Sequence, residues 1–186
     1  MFLNREWYKK FFRKQVAFQE SGRRKLREAF LPYGCEFSNA DADALLSDYW
    51  KDYVSMCRLF DDVSKCFAQL QGYKLGVITN GQETQQVEKL RQCGILSVFD
   101  VVVTSEAAGF PKPQPQIFQY ACPKLGVQEK ESVYVGDNLE LDAIAARDTG
   151  FVGVWLNRLH RNAEYSIGSV ERINHLTELC ELLVIL

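Results

Sequence analysis

Two aspartates, Asp137 and Asp142, follow the apolar residues 133–135 in the sequence VYVGDNLELD. Carboxylate oxygens are ligands that a hard cation such as Mg²⁺ prefers, and Mg²⁺ commonly keeps several waters. One acid could therefore bind the cation directly, while the other binds through water or orients the loop. Alternatively, Asp137 or Asn138 caps the following helix, which explains one acid but gives no reason for the second. We interpret Asp137 and Asp142 as candidate metal ligands.

A second motif, Thr79-Asn80-Gly81, follows the apolar residues 77–78. A hydroxyl group and loop N–H groups that precede a helix can bind a phosphate. Taken alone, the motif is explained better by an ordinary turn that caps a helix. Together with the other motifs, it makes Thr79, Asn80 and Gly81 candidate phosphate-binding residues.

A third motif places Lys112 between Pro111 and Pro113. Because proline restricts its own backbone and that of the residue before it, a stiff segment sets the direction of the lysine side chain. A point charge held in this way suits a phosphoryl group. A surface lysine at the start of a helix explains this motif equally well, since proline is favoured at the first helical position.

The segments that carry these motifs alternate between strands and helices from residue 74 onwards. Each predicted strand is a short apolar run, which indicates an α/β fold with a Rossmann-like parallel sheet and helices on both faces. Ligands of such sheets bind beyond the carboxyl ends of the strands, so the three motifs are expected at one edge. The predicted strands are KLGVITN, DVVVTS, SVYVGD and VGVWLN, the helices between them are TQQVEKLRQCGI, KPQPQIFQYACPKLG and LDAIAARDTGF, and the tail SVERINHLTELCELL is a short strand and a helix.

The first 70 residues are predicted to be helical. Apolar residues recur at helical spacing in FLNREWYKKFFRKQVAF, and Ser38 or Asn39 is a suitable cap for the helix in SNADADALLSDYWKDYVSMCRLF. A further short helix is predicted in DDVSKCFAQLQGY. We therefore expect a helical module over residues 1–70 and an α/β core over residues 71–186.

The composition is that of an ordinary globular protein, with 186 residues, 47% hydrophobic residues and a net charge of −2. Residues 1–30 hold nine Lys/Arg against three Glu, which we interpret as a solvated helix face and not as a nucleic-acid site. Six cysteines without a C-x-x-C pair indicate free thiols in a reducing cytoplasm. We expect a cytoplasmic protein that binds neither nucleic acid nor membrane, and the sequence leaves the oligomeric state open.

In combination, VITNG, GFPKPQPQIF and VYVGDNLELD occur in this order on an alternating strand and helix background. The set resembles the second, third and fourth motifs of the haloacid dehalogenase (HAD) superfamily of hydrolases, in its capped, phosphatase-like form. The resemblance covers roughly residues 60–180, with the helical module in the place of the cap. One departure is Gln114, where the family usually has an aspartate.

The resemblance implies a Mg²⁺-dependent phosphomonoesterase that acts on a small soluble phosphorylated metabolite through an aspartyl-phosphate. In that chemistry Mg²⁺ and a lysine offset the repulsion between carboxylates and the phosphate dianion. The implied roles are phosphate contact for Thr79, Asn80 and Gly81, charge stabilisation for the catalytic Lys112, and a metal site made by Asp137 with Asp142.

The nucleophile of that family is an aspartate in a D-x-D motif at the end of the central first strand, and no matching motif occurs in this sequence. Asp41-x-Asp43 follows polar residues and is typical of a helix start. Asp61 and Asp62 lie just ahead of a predicted helix. None of these four acids is a credible nucleophile.

By the same resemblance, the absent strand would lie between KLGVIT and SVYVG. Without it, two inner strands would leave backbone N–H and C=O groups unpaired in the core. We therefore expect the sequence to be a fragment of an active enzyme, inactive by itself unless a segment supplies the missing motif. The alternative is a catalytically silent HAD-like binding or regulatory protein.

Overall fold

A computed structural model describes residues 18–161 and 168–185. The helix predicted over residues 2–18 lies outside the described residues, apart from Phe18. The chain divides into two compact units with the boundary between Cys57 and Arg58. The assignment of residues 1–70 to a cap-like module and of residues 71–186 to a core stays a prediction.

In the first unit, helices α1 (Phe18–Phe30) and α2 (Asn39–Ser55) pack against each other. Ser38 is the N-cap of α2, because its Oγ accepts from the Asp41 N–H at 3.2 Å and the Asp41 carboxylate accepts from the Ser38 N–H at 3.2 Å. The Asp43 carboxylate accepts two hydrogen bonds from Arg23 of α1, at 2.7 and 2.5 Å. Capping and helix packing therefore account for both acids of Asp41-x-Asp43, which lie at the helix start that the sequence predicted.

The second unit alternates helices and strands in the predicted order. A π-helical turn, Leu139–Ile144, leads directly into α7, whereas the sequence predicted one regular helix there. The elements are α3 (Val63–Gln69), β1 (Gly76–Thr79), α4 (Glu83–Gln92), β2 (Val101–Thr104), α5 (Ser105–Ala108), α6 (Pro115–Leu125), β3 (Val133–Gly136), α7 (Ala145–Asp148), β4 (Val152–Leu156), β5 (Glu171–Ile173) and α8 (Glu178–Ile185).

All strand pairs of this unit are parallel, which confirms the predicted fold class. The strands nevertheless form two sheets and not one. β1 pairs with β2, while the other sheet has the order β3-β4-β5. No strand among the described residues lies between β1 and β3, so the sheet is interrupted where the resemblance places a further strand.

Two hydrophobic clusters show that helices cover both faces of the strands. One cluster joins β2 to α6 and α7 and includes Val103, Phe118 and Ala146. The other joins β4 to α3 and α8 and includes Val154 and Leu179. The alternating helices therefore bury apolar strand residues on either side, as parallel sheets require.

The six cysteines are all free thiols, as the sequence predicted. Burial raises the pKa of Cys66 to about 12, with Cys180 adding to the effect, so this thiol stays protonated at neutral pH. Within the described ranges, none of the helices combines the length and apolar character needed to cross a bilayer.

Candidate functional site

Lys112 is fixed between the side chains of Tyr134, in β3, and Asp142, in the turn that follows β3. Its Nζ lies 2.6 Å from Asp142 Oδ1 and 3.0 Å from the Tyr134 hydroxyl oxygen. The lysine side chain is 14% exposed and that of Asp142 is 6% exposed. Burial alone would lower the pKa of Lys112, but Tyr134 and Asp142 raise it, so the pKa lies above its ordinary value. Lys112 is therefore a positioned, permanently charged group.

Asn80 holds the backbone of Lys112 with both ends of its side-chain amide. Its Nδ2 donates to the Lys112 carbonyl oxygen at 3.1 Å, and the Lys112 N–H donates to Asn80 Oδ1 at 2.8 Å. The two motifs that the sequence places 32 residues apart are thus tied together. In this arrangement the Asn80 amide positions the lysine loop.

The two neighbours of Asn80 also have partners inside the protein. Thr79 Oγ1 donates to Gln86 Oε1 at 3.3 Å, and the Gly81 N–H donates to the buried Ser105 Oγ at 2.9 Å. Gly81 has a φ of 145°, a backbone conformation that favours glycine. The structure therefore brings the predicted phosphate-binding residues to the same edge as Lys112, each with a hydrogen bond of its own.

Asp142 turns back from the π-helical turn towards the end of β3. Its Oδ1 binds Lys112 and its Oδ2 accepts from the Asn138 N–H at 3.0 Å. A Cβ at Gly136 would overlap the Asp142 side chain, so the glycine before Asp137 makes room for this return. Asn138 is the residue that caps the following turn, since its Oδ1 accepts from the N–H groups of Glu140 and Leu141, at 3.1 and 2.9 Å. This settles the choice that the sequence left open between Asp137 and Asn138.

Asp137 is exposed at the same edge. The Trp155 Nε1–H donates to its backbone oxygen at 3.2 Å, and none of the described residues hydrogen-bonds or ion-pairs with its carboxylate. No group of three or more potential metal ligands occurs within residues 18–161 and 168–185. Asp137 thus offers a carboxylate that has no partner among the described residues, which fits a Mg²⁺ that takes its other ligands from water and a phosphate.

Tyr134 belongs to the site, although the sequence pattern indicates only an apolar strand residue at this position. Its hydroxyl accepts from Lys112 and donates to the Ile78 carbonyl oxygen of β1 at 3.0 Å. Loss of water around the hydroxyl raises the pKa of Tyr134 to about 12, against the opposing charge of Lys112. A tyrosine between two valines could have indicated this role, because the hydroxyl of a buried tyrosine needs a hydrogen-bond partner.

Comparison with known proteins identifies the family. Residues 4–155 match the model of the haloacid dehalogenase-like hydrolases. The chain belongs to this family. Its fold agrees with that of the HAD-like protein YfnB of Bacillus subtilis, with a TM-score of 0.81 and 23% identity, covering 98% of this chain and 79% of YfnB. The predicted resemblance is therefore confirmed for family and fold.

Two relatives of this HAD-like chain are named glyceraldehyde 3-phosphate phosphatase. The one from Methanocaldococcus jannaschii is 36% identical over 132 residues, which are 69% of this chain and 58% of the relative. The one from Methanopyrus kandleri is 44% identical over 101 residues, which are 53% of this chain and 43% of the relative. The chain spans about half the length of the curated relatives it matches.

Proposed function

We propose that this chain carries the charge-stabilising and metal-binding part of a phosphomonoesterase that acts on a small phosphorylated metabolite. The observation that carries the proposal is the charged Lys112, held between Asp142 and Tyr134 at the edge where three motifs meet. A fixed ammonium group in a site of low dielectric stabilises a phosphoryl group far better than one in water. Relatives named glyceraldehyde 3-phosphate phosphatase support a phosphorylated metabolite as the substrate.

Mg²⁺ is the cofactor that this proposal implies, with Asp137 as its carboxylate ligand. When bound, the cation supplies positive charge that offsets the repulsion between a carboxylate and the phosphate dianion. Asp142 is bound to Lys112 and to the Asn138 N–H, so its part is to hold the loop that presents Asp137. The six free cysteines suit the cytoplasm, which we propose as the location.

The described residues bind and orient the phosphate in this proposal. The Thr79 hydroxyl can rotate from Gln86 towards a phosphate oxygen, because a single hydrogen bond of 3.3 Å holds it. Lys112 has a third N–H besides those directed at Asp142 and Tyr134. The attacking carboxylate of an aspartyl-phosphate route is assigned to none of the described residues.

Phosphate binding tests the proposal directly. Inorganic phosphate is titrated into the 186-residue protein by calorimetry, with and without Mg²⁺. We expect Lys112→Ala to weaken binding by about tenfold or more, because a charge-assisted hydrogen bond is lost. Lys124→Ala, which removes an exposed lysine from α6, is the matched control and should bind as the unaltered protein does. Equal binding by the Lys112 and Lys124 variants would contradict the proposal.

Turnover of p-nitrophenyl phosphate with Mg²⁺ tests the nucleophile. We expect no release of phosphate by this chain alone. We expect release when an apolar strand that ends in Asp-x-Asp is fused ahead of residue 1. Robust turnover by the unfused chain, abolished in Asp137→Ala, would show that another residue of this sequence attacks the phosphate.

A catalytically silent, phosphate-binding protein is the second candidate. The observation that favours it is that no group of three potential metal ligands occurs in the described parts of the chain. Both candidates predict phosphate binding through Lys112. A fused protein that folds, binds phosphate and still releases none would support the silent protein and contradict the phosphatase.

A further inference from the structure

Trp155 is a buried side chain beside the loop of Asp137, and the phosphatase chemistry proposed above does not use it. It lies in β4, is 4% exposed, and stands opposite Gly136 in the parallel pairing of β3 with β4. Its Nε1–H donates to the backbone oxygen of Asp137, the residue after Gly136, at 3.2 Å. A side chain of one strand thus binds the backbone of the loop that follows the neighbouring strand.

The ring of Trp155 belongs to a small apolar cluster at the same place. Three members of that group come from the π-helical turn Leu139–Ile144, which begins two residues after Asp137. The buried residues of the cluster and the two that pack against it are Ala143, Trp155, Val170, Leu139 and Ile144. Trp155 therefore meets this loop twice, through its N–H at Asp137 and through its ring at the turn.

The peptide group between Asp137 and Asn138 is held at both of its polar ends. Its carbonyl oxygen accepts from Trp155, and its N–H donates to Asp142 Oδ2 at 3.0 Å. Because a peptide group is planar and rigid, hydrogen bonds at its two opposite ends fix its orientation. The backbone on one side of the Asp137 Cα is therefore fixed from β4 and from the π-helical turn together.

This fixed backbone matters because the Asp137 carboxylate is exposed and has no partner among the described residues. The carboxylate of Asp142, in contrast, is bound through both of its oxygens. The position of the Asp137 carboxylate thus depends on its backbone and on its own side-chain torsions. A peptide group that could rotate would spread the carboxylate over more positions, and a cation would have to order it on binding.

We propose that Trp155 is a positioning residue of the metal site, which holds the Asp137 backbone so that the carboxylate is presented in one place. The inference rests on the proposed function, since it takes Asp137 as the ligand of Mg²⁺. The alternative is that the Asp137 oxygen merely satisfies the indole N–H, because a buried tryptophan needs a hydrogen-bond partner. Positioning predicts weaker cation binding when the N–H is removed from a folded protein, whereas the alternative predicts a change in stability alone.

Cation binding by Trp155→Phe tests the proposal. The probe is Mn²⁺, which suits the same oxygen ligands as Mg²⁺ and whose free form is counted by electron paramagnetic resonance. We expect Trp155→Phe, which keeps an apolar ring and loses the donor, to bind Mn²⁺ about tenfold more weakly. Trp50→Phe removes an indole N–H from α2 and is the matched control, with unchanged affinity. Equal affinity of Trp155→Phe and the unaltered protein would overturn the proposal.

Phosphate binding without a divalent cation separates positioning from general damage to the fold. In the proposed function this binding depends on Lys112 and not on Asp137. Trp155→Phe should therefore bind inorganic phosphate as the unaltered protein does, measured by calorimetry, while its Mn²⁺ affinity falls. If both affinities fall to the same degree, the role of Trp155 is structural and the proposal is overturned.

The indole resonance of Trp155 provides a second measurement, which decides the question if Trp155→Phe fails to fold. The chain has three tryptophans, so Trp7→Phe and Trp50→Phe identify the third indole N–H in the NMR spectrum of the labelled protein. Mg²⁺ should shift this resonance over the concentrations at which it binds, and Asp137→Ala should abolish the shift. Binding of Mg²⁺ through Asp137 without such a shift would overturn the proposal.

Failure of this inference and failure of the proposed metal site give different results. If the unaltered protein binds no Mn²⁺, or if Asp137→Ala binds it equally well, the metal site is refuted and the role of Trp155 with it. If Asp137→Ala loses binding and Trp155→Phe retains it, only the role of Trp155 is refuted. Weaker Mn²⁺ binding by both variants, with phosphate binding intact in Trp155→Phe, supports the proposal.

Discussion

β4 and β3 are neighbours of similar apolar sequence, yet they differ in burial. β4 has a strand on each side, and its residues Gly153, Val154 and Trp155 are buried. β3 pairs with β4 alone among the described strands, and its four residues are all half-buried. β1, which also has one described neighbour, ranges from half-buried to exposed. An apolar strand is thus buried by the strands beside it as much as by the helices above and below.

The largest expected difference concerns glycines in β4 and β1. A Cβ at Gly153 would overlap the Ala143 carbonyl oxygen, a backbone atom that cannot move aside, and Gly153→Ala should lower the free energy of unfolding by about 3 kcal/mol. A Cβ at Gly76 would lie 3.1 Å from the Val101 side chain, which can adjust. Gly76→Ala should therefore cost about 1 kcal/mol or less. Urea denaturation monitored by circular dichroism measures both free energies of unfolding. Equal losses in the two variants would show that β4 and β1 do not differ in how tightly they are packed.

The next largest difference in stability is expected between alanine substitutions of a valine in β4 and a valine in β3. Val154→Ala removes two methyl groups from a site that is 0% exposed, and the transfer and cavity costs together should reach about 2–3 kcal/mol. Val135→Ala changes a half-buried side chain of β3 and should cost about 1 kcal/mol. The same denaturation experiment compares them. A loss at Val135 as large as that at Val154 would show that a segment covers β3 in solution.

An ion pair stabilises the fully paired side of the sheet. Arg158, just beyond β4, donates to both oxygens of Asp62 at 2.7 and 3.0 Å, and the Leu176 N–H donates to Asp62 at 2.7 Å. Asp62→Asn should lower the free energy of unfolding by about 2 kcal/mol at pH 7, because charged hydrogen bonds are lost. The exposed Asp148→Asn is the control and should change it by less than about 0.5 kcal/mol.

The contribution of Asp62 depends on pH in a defined direction. The hydrogen bonds from Arg158 hold the pKa of Asp62 below its ordinary value in the folded protein. The stabilisation is therefore complete above the ordinary carboxyl pKa and is lost as pH falls through the lowered one. The difference between the unaltered protein and Asp62→Asn should shrink between pH 5 and the lowest pH at which the protein stays folded. A difference that grows on acidification would contradict this assignment.

The smallest expected effect on stability lies where the sheet is interrupted, between β1 and β3. Tyr134→Phe removes the hydroxyl that joins β3 to the Ile78 carbonyl of β1 and should cost about 1 kcal/mol. Tyr120→Phe, at an exposed position on α6, should have no measurable effect. Thermal unfolding of the two variants checks the difference. No loss in Tyr134→Phe would show that this hydrogen bond does not stabilise the two sheets against each other.

The sequence predicted the alternating elements of the second unit because each rests on local information. The apolar runs of β1, β3 and β4 end at Asn or Gly residues, and β5 and α8 were predicted in the tail. The choice between Ser38 and Asn39 as a cap needed the positions of the atoms, since both residue types can accept the same hydrogen bond. The π-helical turn at Leu139–Ile144 has no comparable local signal.

Most residues of the candidate site were predictable from the sequence, but the contacts between them were not. Lys112 and Asp142 were identified separately, as a phosphate and a metal residue, yet the structure joins them in an ion pair of 2.6 Å. That contact depends on how the elements that carry the two residues are arranged in space, which motif spacing does not specify. Tyr134 was missed because the pattern of a buried strand gives weight to its ring and none to its hydroxyl.

The hydrogen bonds between the Asn80 side chain and the backbone of Lys112 fix the position of the lysine loop independently of the side chain at position 112. Both hydrogen bonds involve the peptide groups of position 112, so they survive any replacement there except proline. A methionine or glutamine at this position would inherit the same location and direction with different chemistry. Evolution and protein engineering can thus exchange the functional group at a fixed point of the molecule without rebuilding the segment that presents it.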